Sequence, residues 1–413
     1  MVFPVDASRI MQRCDALARH SELAGGLTRV YLSPQNRAAN DLVLGWMREA
    51  GMQARLDPVG NVVGRYEGER PGLPCLMLGS HLDTVRDAGK YDGMLGVITA
   101  IECVHALHSR GRKLPFSVEV IGFGDEEGVR FGTTMLGSRA IAGGLEPEVF
   151  KAKDANGVSI AEALRDFGLD AGRAAEVARR KEEVLAYAEL HIEQGPVLEA
   201  EGLPLGVVTA INGFSRQRVT LQGLAGHAGT VPMRLRRDAL AAAAECVLAV
   251  ENIAGRHSES LAETVATVGR IEASPGAINV IPGKVVFTVD VRASKDALLH
   301  STVKEIGDRL QAICKARKVE CGIEALQQLG VAECAEWLMA QLEAAVRAEG
   351  LKVRRLPSGA GHDGMALRRI ADICMLFVRC KGGISHNPAE SISAEDAAAG
   401  ARVLLRFIES FRK

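Results

Sequence analysis

The segment GSHLDT (79–84) ends an apolar run with His81 and Asp83, an i, i+2 pair whose side chains point the same way on extended chain. A metal-bound imidazole usually gives its other ring N–H to an acceptor, and Asp83 is placed to orient His81 in that manner. His-x-Asp is a short motif, and a polar strand end accounts for it equally well. Asp92, in KYDGMLGV (90–97), comes directly before an amphipathic helical pattern over 93–108. Its plain role is to cap that helix; a carboxylate can also bridge two cations. GDEEG (124–128) sets Asp125, Glu126 and Glu127 in a row past another apolar run. Three buried like charges there need a positive centre, and a divalent metal is the natural one. His191 closes a third run in YAELHIEQGP (187–196), and His386 follows a fourth in GGISHNP (382–388). Singly these histidines read as structural or exposed. Together with Asp92, Glu126 and Glu127 they supply the N/O donor set of a two-metal hydrolase.

A second group has the chemistry of a clamp rather than of a metal site. His227 lies in GHAGTVP (226–232), Asn279 in AINVIPG (277–283), and Arg292 at the end of a strand pattern. Arginine offers a rigid fork for a carboxylate, and asparagine both a donor and an acceptor. Taken alone, Arg292 reads as a surface residue and Asn279 as a turn former. His20, His105, His108, His257 and His300 fall in helical patterns with no acidic residue at ligand spacing and read as structural.

Positioning such residues requires strands that end where the residues stand. Apolar runs at 75–78 and 118–123 alternate with helical patterns, which is α/β architecture: a buried sheet with helices on both faces and its site beyond the strand carboxyl ends. The stretch 214–326 changes character. Alternation near 218–222, an alanine-rich helix over 237–253, strand patterns at 264–271 and 284–292, and a helix over 294–317 make an α+β unit of domain size. Apolar runs with glycine-rich turns then return, so 1–213 and 327–413 form one domain and 214–326 is inserted into it. No internal repeat is visible.

Composition removes other classes of function. Fifty Lys and Arg against 51 Asp and Glu leave a net charge of −1, so no global field draws nucleic acid or an anionic membrane. The nine cysteines are scattered and contain no C-x-x-C pair, which suggests neither a disulfide framework nor a cysteine zinc site. The charged N-terminus lacks the apolar core of a secretion signal, and no stretch approaches the roughly 18 apolar residues of a spanning helix. A cytoplasmic location is expected.

The motifs GSHLDTVRDAGKYDGMLGV, GDEEGVRFGTTMLGS, ELHIEQGPVLE, GHAGTVPMRLRRD, NVIPGKVVFTVDVR, SGAGHDGMA and LFVRCKGGISHNPAE together resemble the hydantoinase/carbamoylase amidases. These belong to the dinuclear-metal aminopeptidase and acylase superfamily. The motifs occur in family order from about residue 60 to 395, and several look most like the branch that hydrolyses allantoate. Hydrolases of N-carbamoyl-L-amino acids and β-ureidopropionases share the scaffold. The resemblance implies that His81, Asp92 and His191 hold one metal while Asp92, Glu127 and His386 hold the other. It makes Glu126 the general base, Asp83 the partner of His81, and His227 a stabiliser of the oxyanion. Gln194, Arg216, His227, Asn279, Arg292 and the Gly361-His362 step match substrate-binding positions. The family often has Ala where this chain has Gly364, a change expected to loosen the helix start that follows. The resemblance further implies two divalent ions per subunit (Mn or Zn, with Co or Ni also suited), a small ureido-carboxylate substrate, and a homodimer through the inserted domain. That domain would act as a lid, hinged near Gly213 and 327–330, and His227 would serve the partner's site.

Overall fold

In the computed structural model, which describes residues 5–258 and 264–413, the four apolar runs become four parallel strands of one mixed sheet. Residues 1–4, part of the N-terminal segment read for a leader, lie outside the described residues. Cys75–His81 sits between Ser117–Phe123 and Val184–Ile192, and Ile373–Val378 lies on the far side of Val184–Ile192. Every residue of Cys75–His81, Ser117–Phe123 and Ile373–Val378 is buried. Covered on both faces, these strands read as unbroken apolar runs and not as alternation. Antiparallel strands flank them: Val62–Tyr66 against Ser117–Phe123, and Leu205–Ile211 against Ile373–Val378. Because the four strands run parallel, their carboxyl ends and the loops that follow lie at one edge of the sheet.

The helix Met94–Ser109 departs from the amphipathic pattern expected of it. Thirteen of its 16 residues are buried, because Ala7–Ala18 and Ala394–Ser410 pack on it in addition to the sheet. Glu102, fully buried in this helix, is held by the fork of Arg9, at 2.6 Å and 2.7 Å. The expected cap at Asp92 is also absent. The N-cap position belongs to Gly93, at φ 76°, and no side chain caps the first turn, which leaves the Asp92 carboxylate for other work.

The chain divides into two compact units, Met1–Thr209 with Glu333–Leu356 and Gly361–Lys413, and Ala210–Ala332 with Pro357–Ala360. The second unit holds a five-stranded antiparallel sheet and the helices Ala239–His257 and Asp296–Ala316. It extends beyond the expected 214–326 because Glu320–Leu329 stays paired with Gly213–Gln222 to its last residue. Residues 357–360 join it through the Asn212 N–H on the Ser358 carbonyl (2.9 Å) and Arg292 Nη1 on the Gly359 carbonyl (2.9 Å). The single strand expected over 264–271 is two, Thr264–Thr267 and Ile271–Ser274, both paired to Lys284–Ala293. Four steps along one strand oppose three on the other, from Thr267↔Asp290 to Ile271↔Phe287, and the extra residue breaks the ladder as a bulge does. Val219, Leu221, Phe287 and Val289 face the helices in the core. The alternate positions, Arg216, Arg218, Asp290 and Arg292, therefore line the other face of that sheet.

All nine cysteines are free. Among the described residues no helix is long and apolar enough to cross a membrane. His257, expected to lack an acidic partner, meets Glu305 at 2.7 Å across the two helices of the inserted unit, a pairing that spacing along one helix cannot show.

Candidate metal centre and substrate residues

The four carboxyl ends bring His81, Asp92, Glu126, Glu127, His191 and His386 into one cluster. Asp92 Oδ1 lies 3.3 Å from Nε2 of both His81 and His191. Its other oxygen, Oδ2, lies 3.4 Å from His386 Nε2, which is also 3.3 Å from Glu127 Oε1. Ligand atoms of His81, Asp92 and His191 fall within 4.8 Å of one another, and so do those of Asp92, Glu127 and His386. Asp92 is common to both sets and presents a different oxygen to each.

Ring tautomers test whether a cation fits. His81 Nδ1 stands 3.0 Å from the Asp83 carbonyl and His191 Nδ1 2.9 Å from the Ile192 carbonyl. A carbonyl only accepts, so Nδ1 of each ring carries the hydrogen and the Nε2 lone pair faces Asp92. A lone pair aimed at a carboxylate is repulsive unless a proton or a metal lies between, and two such contacts on Oδ1 suit a divalent ion. The His191 Nε2 lone pair also accepts the Gly93 N–H at 3.2 Å. Burial opposes charging His81, but the hydrogen bond to Asp92 and the charges of Glu126, Asp83 and Asp92 outweigh it and hold the ring well above its ordinary value. His191 is raised against the same opposition from burial, chiefly by Asp92. Glu127 raises His386. Against burial, the two rings in turn hold Asp92 well below the carboxylate range.

The acidic loop is anchored in a manner the sequence did not show. Asp83 was expected to orient His81 through its carboxylate, yet that contact is 3.9 Å and the ring nitrogen uses the Asp83 backbone carbonyl. The Asp83 carboxylate instead accepts the N–H groups of Glu126 (3.1 Å) and Glu127 (3.2 Å), one oxygen to each, and so fixes the pair of acids. Burial pushes Glu126 well above its ordinary value, and the charges of Glu127, Asp363 and Asp83 add to the rise while His81 opposes it. A carboxyl raised in this direction carries a proton more readily than an ordinary carboxylate, as a general acid and base must.

Backbone strain collects at the same edge. Asp125 (φ 59°), Gln194 (φ 57°) and His386 (φ 55°) are left-handed without being glycine, a conformation that costs on the order of 1 kcal/mol or more and persists where surroundings impose it. Gly93 has no alternative: a Cβ there would stand 2.5 Å from the His81 ring.

Of the expected substrate residues, Gln194 and His362 belong to this cluster. Gln194 Nε2 donates to Asp92 Oδ2 at 2.7 Å. His362 is buried with its ring centroid 4.5 Å from that of His191, and burial holds it well below its ordinary value, hence neutral. Gly361 precedes it, exposed. The remaining four lie in the inserted unit. His227 and Asn279 are exposed and adjacent on a small ribbon, where Val280 pairs with His227 and the Ala228 N–H donates to the Asn279 carbonyl at 2.9 Å. Arg216 and Arg292 share Asp290, at 3.0 Å and 3.1 Å, and Arg216 also donates to Gln327.

Sequence reasoning passed over a buried network behind the histidines. Glu189 accepts from Ser80 Oγ at 2.8 Å and from the Tyr187 hydroxyl at 2.9 Å, and it groups with His191 and His362. Burial holds Glu189 and Asp363 above the ordinary carboxylate range. Period-2 spacing of Tyr187, Glu189 and His191 was the available signal; it was hidden because the strand is buried on both faces.

Residues 77–410 match the model of peptidase family M20/M25/M40. An N-carbamoyl-L-amino acid amidohydrolase of Geobacillus stearothermophilus is 43% identical over 97% of both chains. Allantoate deiminase 1 of Glycine max is 42% identical over 95% of this chain and 87% of its own. A crystal structure of an amidase of the hydantoinase/carbamoylase family from Burkholderia multivorans superposes with a TM-score of 0.91, at 34% identity and 98% coverage of both chains. The chain therefore belongs to peptidase family M20/M25/M40, among its hydantoinase/carbamoylase amidases.

Proposed function

We propose that this protein hydrolyses a ureido C–N bond of allantoate, giving ureidoglycine, ammonia and carbon dioxide. The observation that carries the reading is the doubly shared Asp92 beside the raised carboxyl of Glu126. His81, Asp92 and His191 would hold one divalent ion and Asp92, Glu127 and His386 a second, Mn or Zn by donor type, with Co or Ni also suited. Bound there, the ions supply Lewis acidity and make a nearby water more acidic. Glu126 takes the proton of that water as it adds to the carbamoyl carbon, and returns it to the departing nitrogen. Asp83 holds Glu126 in place through its N–H. Arg292 and Asn279 bind the substrate carboxylate, Gln194, Arg216 and the Gly361-His362 step complete its contacts, and His227 stabilises the developing oxyanion. A carboxylate clamp of this kind lets a nearly neutral protein select a small anion without nucleic acid or a membrane as partner. We place the enzyme in the cytoplasm as a homodimer formed through the inserted unit. Mixing His227→Ala with Glu126→Gln protein tests that assembly: activity returns in the mixture if His227 serves the other subunit, and stays absent after verified exchange if it does not.

The second reading, an N-carbamoyl-L-amino acid hydrolase, rests on relatives of that name at similar identity. Steady-state kcat/KM of metal-loaded protein with allantoate and with N-carbamoyl-L-amino acids separates the two. A higher value for allantoate is expected. A higher value for any N-carbamoyl-L-amino acid replaces the first reading by the second.

A further inference from the structure

Glu390, in the segment that carries His386, is buried, and its Oε1 accepts the N–H of Tyr91 at 2.7 Å and of Asp92 at 3.1 Å. Its Oε2 lies 3.2 Å from the Ser385 hydroxyl, which is also 2.5 Å from Asp92 Oδ2. The chain is built around this side chain. A Cβ on Gly89 would stand 2.2 Å from the Glu390 carboxyl carbon, so glycine there is what admits it. Since no side chain caps the helix that begins at Met94, Asp92 is held from elsewhere.

We infer that Glu390 is a positioning residue that sets the Asp92 carboxylate for its shared role, by clamping the Tyr91–Asp92 backbone and by orienting Ser385. The inference rests on the reading of Asp92 as a ligand to two metals. Glu390 Oε1 is engaged by the two backbone N–H groups and Glu390 belongs to neither donor set, so it acts through Asp92. Ser385 has one hydrogen and two carboxylate oxygens within reach. The nearer is Asp92 Oδ2, at 2.5 Å against 3.2 Å, so the hydroxyl is placed to give that hydrogen to Asp92 Oδ2, the oxygen turned toward His386. Gln194 donates to the same oxygen. Oδ1 is left to His81 and His191, so the clamp decides which oxygen serves which set.

Equilibrium dialysis of the metal-free full chain against Mn²⁺, with bound metal counted by atomic absorption, tests this without recourse to turnover. Glu390→Ala is expected to weaken both ions together, by about 10- to 100-fold, the usual effect of removing an outer partner. Glu390→Gln keeps an oxygen for both N–H groups and should return to within about threefold of wild type. Gly89→Ala, which leaves Glu390 in the sequence but displaces its carboxyl, should reproduce the loss. If Glu390→Ala does not fold by circular dichroism, the Glu390→Gln and Ser385→Ala proteins decide. Ser385→Ala removes no backbone partner and should still weaken binding several-fold. Two ions at wild-type affinity in Glu390→Ala, or in Ser385→Ala when the former is unfolded, overturns the proposal. Two ions retained by Asp92→Ala would instead remove the reading of Asp92, and the proposal with it.

Discussion

The two groups of candidate residues differ in how well they are satisfied. At the strand ends, His81, Asp92 and His191 are at most 4% exposed, and their ring nitrogens and carboxylate oxygens lie close enough to serve one cation. On the outer face of the inserted sheet, Arg216 and Arg292 are part exposed and share Asp290. The first group is buried and gathered around one shared carboxylate. The second is already paired, and a ligand there must compete with an existing partner of modest worth. Loss of a residue should therefore be close to all-or-none in the first group and graded in the second.

Asp92→Ala offers the largest expected effect. Because both donor sets use Asp92, neither ion should bind and turnover should vanish; one ion retained at normal affinity in dialysis would break the shared role. Glu126→Gln keeps the donor sets and should bind both ions, while kcat falls by about 10²- to 10⁴-fold, the range for losing a general acid and base. Near-normal kcat would remove Glu126 as the base.

Metal removal should change the slope of stability with pH. The folded-state values of His81, His191 and His386 lie above the unfolded value of about 6.5, so their contribution is present below that pH and is lost as pH rises through the folded values. Glu126 and Asp363 are raised by burial, which penalises the folded state progressively as pH rises above about 4. Both trends have one sign. Asp92, depressed, supports the fold above about pH 4 and matters only in acid. Chelated protein should thus melt at a lower temperature at about pH 8.5 than at about pH 6, and loaded protein should lose much of that slope. Thermal scans of both forms check this, and a chelated Tm that rises with pH would contradict it.

In the graded group, Arg292→Ala should raise KM for carboxylate substrates about ten- to a hundredfold, the worth of a charge-assisted contact. Arg216, committed to Asp290 and Gln327, should matter least. Arg216→Ala is expected to alter KM by less than about threefold. Equal effects from the two arginines would erase the contrast drawn between them.

The strand-end histidines and acids were legible because buried parallel strands are written as apolar runs, and a polar residue at the end of such a run stands out. The inserted unit carries the opposite signal, strands that alternate between a core face and an outer one. The helix after Asp92 was misread as amphipathic, since its apolar residues on the second face are covered by helices from both ends of the chain. Asp83 was found, but its task was not: whether an acid meets a ring or a backbone N–H depends on the path of a loop more than forty positions away.

Residue types and their order along the chain marked the fold class and the family, and the family resemblance named the candidate metal donors. Tertiary structure alone decided which oxygen of Asp92 faces which set. The two oxygens of Asp92 face different rings because Gly93 turns the chain left-handed beside His81, and because Glu390, separated from Asp92 by 298 positions, holds the backbone there. Hydrogen-bond geometry is set by distances in space, and no periodicity in one sequence encodes a contact of that separation.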